Sequence, residues 1–311
     1  MADLHGLYAL PPGVDFADCF VQGLMARMAD QPPEALARVT ILANAATTMG
    51  ALRRAFDRAG PLLLPRLRSI TSVDPGPLVM PDPPVAPLAR RLQLGRLIAQ
   101  LLKLRPDLGA GHSIPVLAQS LSQLMIEMQT EGRDITALEA IDTGDHARHW
   151  QNALAFLKIA ADFHLRDAHS DRPARQRAAA EAALADWAQG LNLPGGPVIV
   201  AGSTASHGAT RLYMQAVAAL PNGAVVLPGF DFDQPDAVWE TLGDAADDHP
   251  QSRFAPLIRD AGYPERWTDV APPSAARNRL VSLALRPAPV TDQWIAEGPA
   301  LPDLIPATRA L

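Results

Sequence analysis

The sequence predicts an α/β fold in which a parallel-sheet lobe is interrupted by an all-helical domain. The chain opens with a strand, a turn and a helix. Residues 88–190 then show helical periodicity only. Buried-strand runs return at Val198–Ala201 (VIVA) and Ala224–Leu227 (AVVL).

The elements follow in order. His5–Leu10 (HGLYAL) is a short apolar strand. Pro11, Pro12 and Gly13 make a turn, and Phe16–Met28 (FADCFVQGLMARM) is a helix. A strand, turn and helix at the start of an α/β domain is where a nucleotide-binding enzyme places its Gly-rich loop and lysine. Here the loop is proline-rich. The chain has two lysines, Lys103 and Lys158, each preceded by leucine, so no Gly-Lys-Ser/Thr exists and a working phosphate loop is excluded.

Val39–Ala43 (VTILA) is the second strand, and Thr47–Arg58 is a helix with Leu52 and Phe56 on one face. Leu62–Leu64 and Ile70 flank Pro65-Arg66-Leu67-Arg68 and suggest a third strand. Six prolines between 74 and 87 forbid a helix or a central strand and predict a rigid linker.

The helical stretch divides at its breakers. Leu88–Leu104 ends at Arg105-Pro106. A second helix starts at Ser113-Ile114-Pro115, with Ser113 as N-cap, and ends at Gly132. Thr136–Ala140 is short, and Ala147–Ala168 is long, with Trp150, Leu154, Leu157, Ala161 and Leu165 on one stripe. Pro173–Leu191 is the last, capped by Asp171. A core of Leu97, Leu101, Leu117, Leu121, Leu124, Trp150, Leu154 and Leu157 is expected.

The returning strand Val198–Ala201 must then share one sheet with Leu7–Leu10 and Val39–Ala43. Gly208–Leu220 is a helix, closed by Gly223. Short helices are expected near Gln234–Leu242, Arg253–Ala261 and Ser274–Leu285, followed by an irregular proline-rich tail, Pro287–Leu311.

Composition narrows the function classes. The 311 residues can bury a large core and hold about two domains of ~150 residues. Apolar residues make up 48% and charged ones 19%, which suits a globular soluble protein. A net charge of −6 argues against a freestanding nucleic-acid binder but leaves room for a local basic groove. Twenty-five arginines against two lysines read first as a composition bias. The one cysteine, Cys19, can form neither an intrachain disulfide nor a metal cluster. With no cationic leader and no run of ~18 apolar residues, a cytoplasmic protein is expected.

Four stretches resemble the N-terminal part of the AddB family, the second subunit of AddAB double-strand-break repair helicase–nucleases, in its alphaproteobacterial form. They are LYALPPG (7–13), PLLLPRLRSITSVD (61–74), PVIVAGSTAS (197–206) with GAVVLPGFDFD (223–233), and HPQ (249–251) with ALRP (284–287) and TDQW (291–294). The resemblance implies a RecA-like lobe of the P-loop NTPase, superfamily 1 helicase type. Residues 1–87 and 191–311 would form the lobe and 88–190 its helical insertion. Family members are longer, with a second RecA-like lobe and a C-terminal nuclease domain holding an iron–sulfur cluster; no cofactor is expected in this segment.

The implied role is a non-catalytic, inactivated helicase region that scaffolds the complex and contacts single-stranded or forked DNA during end resection. Its partner would be an AddA-type subunit, with no membrane involved. Where family members often carry an arginine pair after the second strand, this chain has Ala46 and Thr47, ahead of Leu52, Arg53, Ala55 and Phe56.

Two readings stay open at each candidate site. Ser203, Thr204 and Ser206 could hold a DNA phosphate at a helix N-terminus or could simply cap it. Asp231 and Asp233 follow a buried strand where a motor places its Mg²⁺-holding acids. Here they are a vacant inherited position or a cap for the next helix. Arg53, Arg66, Arg68, Arg90 and Arg91 are the DNA-contact candidates, with surface solubility as the alternative. His249 could be a general base or a ligand, but it has no cysteine and no HxxxH or HExxH partner; His164 and His169 are five apart, and His146 and His149, three apart, could bind a metal weakly or simply be solvated at a charged helix start. The competing functions are a small α/β hydrolase or transferase using Gly202–Ser206 and Asp231, and a pure protein-interaction module. A hydrolase would gather Ser203, Asp231 and a histidine.

Overall fold

A computed structural model describes residues 4–72, 83–106, 111–133, 171–242 and 248–303. The chain divides into two compact units. The first comprises Met1–Ser72, Ala183–Ser206 and Thr210–Leu311, and the second Val73–Ala182 and His207–Ala209.

The first unit is built on a six-stranded, all-parallel sheet. Its strands are β1 (Gly6–Ala9), β2 (Thr40–Ala43), β3 (Arg66–Ser69), β4 (Val198–Ala201), β5 (Gly223–Leu227) and β6 (Glu265–Arg266). Their spatial order is β3-β2-β4-β5-β1-β6. The register places Val198 opposite both Thr40 and Gly223, so the strand beyond the helical stretch does join the first two in one sheet.

Alternation along the strands feeds two cores. Tyr8, Ile41, Ile199, Ala201 and Val226 point to one face, against Phe20 and Leu24 of α1 (Phe16–Arg27) and Leu52 and Phe56 of α2 (Ala46–Ala59). Leu7, Leu42, Val198, Val200 and Val225 point to the other face. There they meet Met214 and Val217 of α6 (Gly208–Ala218), Val238 and Trp239 of α7 (Asp236–Thr241), and Leu257 of α8 (Ala255–Ala261).

Two elements differ from expectation. The third strand begins at Arg66, and Leu62–Leu64 lie outside it, with Leu63 and Leu64 exposed. Pro61 and Pro65 bracket that run and have no N–H to give a ladder. The two-residue β6 was not expected at all; it carries exposed Glu265 and Arg266 and is recruited by pairing with β1. The helix expected near Ser274–Leu285 is α9 (Ala275–Ala284), and the tail beyond it is more regular than predicted, with α10 (Gln293–Glu297) and 3₁₀ segments at Ala288–Val290 and Gly298–Asp303.

The described part of the second unit is helical. α3 (Pro87–Leu104) starts with proline in its first turn, which its missing N–H permits, so the linker stops short of Pro87. α4 (Ile114–Glu131) ends at Gly132, φ 64°, whose N–H reaches the Gln129 and Met128 carbonyls. Ser113 takes the N-cap position of α4 without a side-chain cap. Leu94 and Ile98 pack with Ala118, Leu121 and Met125. Leu97, Leu117 and Leu124 are only partly buried, because the buried stripe runs through Leu94, Ile98 and Leu101 on α3 and through Ala118, Leu121 and Met125 on α4. The third helix, α5, spans Arg172–Ala188. Residues 73–82 of the linker, the helices at 136–140 and 147–168 with Trp150, Leu154 and Leu157, and His146, His149, His164 and His169 lie outside the described residues.

Candidate functional site

In an all-parallel sheet the loops after the strands gather along one edge, where α/β proteins bind ligands. The Pro11–Gly13 turn leaves β1 at that edge. Asp15 caps α1, accepting from Asp18 N at 2.9 Å. Pro11 and Pro12 have no N–H, so they cannot donate to a phosphate. The turn presents the opposite polarity: the Pro12 carbonyl accepts a hydrogen bond from Asn278 Nδ2 of α9 at 2.9 Å. A Cβ placed on Gly13 would stand 3.5 Å from Arg277 Nη2 and 3.6 Å from Pro273 Cδ, so side chains of this segment already flank the turn. The residues here do not fit a nucleoside triphosphate.

The loop after β5 is tied to the same turn, because Phe230 N donates to Leu10 O at 2.8 Å. Asp231 is buried, and its carboxylate accepts from Asp233 N at 3.0 Å. Burial raises its pKa above the usual carboxylate value, opposed by Ser282, by the Asp233 N–H and by the Arg286 charge. Asp233 does not cap the next helix; Pro235 takes the N-cap position of α7 with no side-chain cap.

His249-Pro250-Gln251 is a clamp on this loop. Gln251 Nε2 donates to Gly229 O at 2.9 Å, and its Oε1 accepts from Asp231 N at 3.1 Å. His249 Nδ1 accepts from Gln251 N at 3.1 Å, which puts the neutral ring's proton on Nε2. Burial lowers the His249 pKa, with Asp231 and Asp248 pulling it up and Arg286 adding to the fall.

The Gly202–Ser206 loop after β4 holds its first hydroxyl locally. Ser203 is buried, and its Oγ accepts from Ala205 N at 3.3 Å. Ala205 sits at φ 53°, in the left-handed region that a hydroxyl-stabilised turn supports. Thr204 is exposed and Ser206 half-buried. Within the second unit, Glu131 Oε1 accepts from Gly208 N, the first residue of α6, at 3.0 Å. A carboxylate thus stands where this helix N-terminus would receive a phosphate. Asp231 accepts from Asp233 N and Ser203 from Ala205 N, so these two groups of the hydrolase reading are each held within their own turn.

The arginine candidates separate by exposure. Arg53, on α2, and Arg66 and Arg68, two apart on edge strand β3, are exposed. Arg91 is exposed on α3. Arg90 corrects the expectation: it is 3% exposed, and its Nε donates to Asp171 Oδ1 at 2.9 Å, so it is a core residue of the helical unit. Asp171 is the other half of that buried pair. Among the described residues no three His, Cys, Asp or Glu side chains group as metal ligands, and no helix is long and apolar enough to cross a membrane.

The residues that shape this edge most were not legible as site residues. Asn278 and Ser282 lie in a segment read only as a short helix, Arg286 was noted only within the ALRP stretch, and Trp267 carried no motif. One signal for Trp267 did exist: Gly23 sits inside a predicted helix, which points to a close approach. The indole packs onto it, donating from Nε1 to Phe20 O at 2.9 Å. Against known proteins, the chain matches no family model, and no curated protein matches it.

Proposed function

We propose that this chain is the inactivated, RecA-like first lobe of an AddB-type subunit, with an inserted helical domain. In this reading it is a scaffold and DNA contact in a double-strand-break repair helicase–nuclease, and an AddA-type partner hydrolyses ATP. The observation that carries it is the Pro11–Gly13 turn. It stands at the carboxyl end of β1, where a motor holds phosphate, yet it offers a carbonyl that Asn278 already occupies. The parallel sheet and the four family-like stretches support the same reading. Exposed Arg53, Arg66, Arg68 and Arg91 are the DNA contacts, without Arg90. Co-purification with an AddA-type subunit, followed by anisotropy on a forked duplex, tests it. A chain that neither joins such a subunit nor binds the fork refutes it.

A second reading, a protein-interaction module without DNA contact, has its own observation. Exposed Leu63 and Leu64 adjoin a groove of about 350 Å³ lined by Met25, Met28, Pro32, Leu36, Leu62 and Leu63. Leu63→Glu would then abolish complex formation, while Arg66→Glu with Arg68→Glu would leave it intact.

A further inference from the structure

Strand β3 ends the sheet order, and among the described residues no strand lies on its outer side. Arg66 N donates to Val39 O at 2.9 Å, in register with Thr40, so the backbone groups of Arg66 face β2. Peptide groups alternate along a strand, so the N–H and C=O of Leu67 and the N–H of Ser69 face outward. Ser69 O is taken by the Ser72 hydroxyl at 2.6 Å, which closes that end of the edge. Side chains alternate as well. Leu67 packs against the core that holds Ile41, while Arg66 and Arg68 stand exposed on the other face, about 6–7 Å apart along the strand. Neither guanidinium has an ion-pair partner among the described residues.

These features select one occupant. Leu67 presents a donor and an acceptor together, the pattern that a neighbouring peptide strand pairs with. A phosphate backbone only accepts, and it leaves the Leu67 carbonyl unpaired. A second copy of this edge would bring two more arginines against Arg66 and Arg68, and like charges across a strand pair are destabilising. An acidic strand sets carboxylates opposite both, because its alternate residues keep the same spacing. We propose that β3 is a docking edge for an extended, acidic segment of a partner protein, which adds to the six-stranded sheet as a further strand. The inference stands on this edge and not on the DNA-repair reading. It goes beyond that reading, since a bound strand and DNA would compete for Arg66 and Arg68.

Anisotropy titration of the full chain with a labelled peptide of alternating glutamate and valine tests it. Arg66→Gln together with Arg68→Gln should weaken binding about ten-fold, the effect of two cross-strand ion pairs. Leu67→Pro should weaken it about five-fold, the effect of one net hydrogen bond. An edge strand tolerates proline where the lost N–H lies outside the ladder. A second arm leaves the protein unaltered and changes the peptide. N-methylation of one alternate set of its residues should abolish binding, and N-methylation of the other set should spare it. Three results would each overturn the docking edge: no binding of the acidic peptide, equal binding of the two N-methylated peptides, or a Leu67→Pro variant that loses affinity for oligothymidine and not for the peptide.

Discussion

Arg27 lays its guanidinium over the indole of Trp267, 3.9 Å from the ring centroid, and donates to the Trp267 carbonyl at 2.7 Å. The indole also makes a near-parallel stack on Phe20 at 5.6 Å and an edge contact with Tyr8 at 5.2 Å. The last strand, the first strand and α1 are thus joined through one side chain that is 1% exposed.

Trp267→Ala should therefore cost about 3–5 kcal/mol in chemical denaturation. Gly23→Ala should cost about 1–3 kcal/mol in the wild type, since its Cβ would overlap the indole. In the Trp267→Ala background the same change should cost less, because only the Thr268 methyl, 2.8 Å from the new Cβ, then crowds it and alanine is the better helix former by about 1 kcal/mol. Additive losses in the double-mutant cycle would show that the two residues do not share this contact.

ATP with Mg²⁺ should give no saturable heat in calorimetry. A Pro12→Lys variant should not acquire binding, because Asn278 and Arg277 remain against the turn. Micromolar binding by either protein would contradict the proposed inactive site.

DNA binding by the isolated chain should be weak and strongly salt-dependent, given its net charge of −6. Arg66→Gln and Arg68→Gln should each lower the slope of log affinity against log salt by about 1 in anisotropy titrations. Tight binding that persists in high salt would count against this basic edge.

Arg90→Ala should leave DNA affinity untouched and destabilise the helical unit by about 3 kcal/mol, because it removes the guanidinium paired with the buried Asp171 carboxylate. Exchange read over 87–104 and 114–131 would report it. A variant of unchanged stability and reduced DNA affinity would return Arg90 to the surface role.

Acid should weaken the His249 clamp. The pKa of His249 is lowered below 6.5 in the folded state, so the unfolded chain takes up its proton first as pH falls. The His249 contribution is therefore complete above about 6.5 and declines below it. A proton on Nδ1 would also face the Gln251 N–H that this atom accepts. Asp231 acts with the opposite sign: its raised pKa makes protonation favour the folded state, in a window just above the ordinary value of 3.8. Denaturation midpoints at pH 7.5 and 5.5 should fall more for the wild type than for His249→Gln. Equal falls would remove His249 as the cause.

Periodicity alone determined most of the sheet. The runs at 39–43, 198–201 and 224–227 are apolar on both faces, and only a strand covered on two sides permits that. The missing lysine and the paired prolines likewise determined that the first turn cannot cradle phosphate. Tertiary structure decided what no local pattern encodes. The pairing of Arg90 with Asp171, 81 residues apart, turned a surface candidate into a core residue. The bond from Asn278 to Pro12 spans 266 residues, and β6 forms only because β1 offers an unpaired edge. Local propensity fixes which residues can form a helix or strand. Which side chain fills which loop depends on long-range packing, and that leaves no period in the sequence.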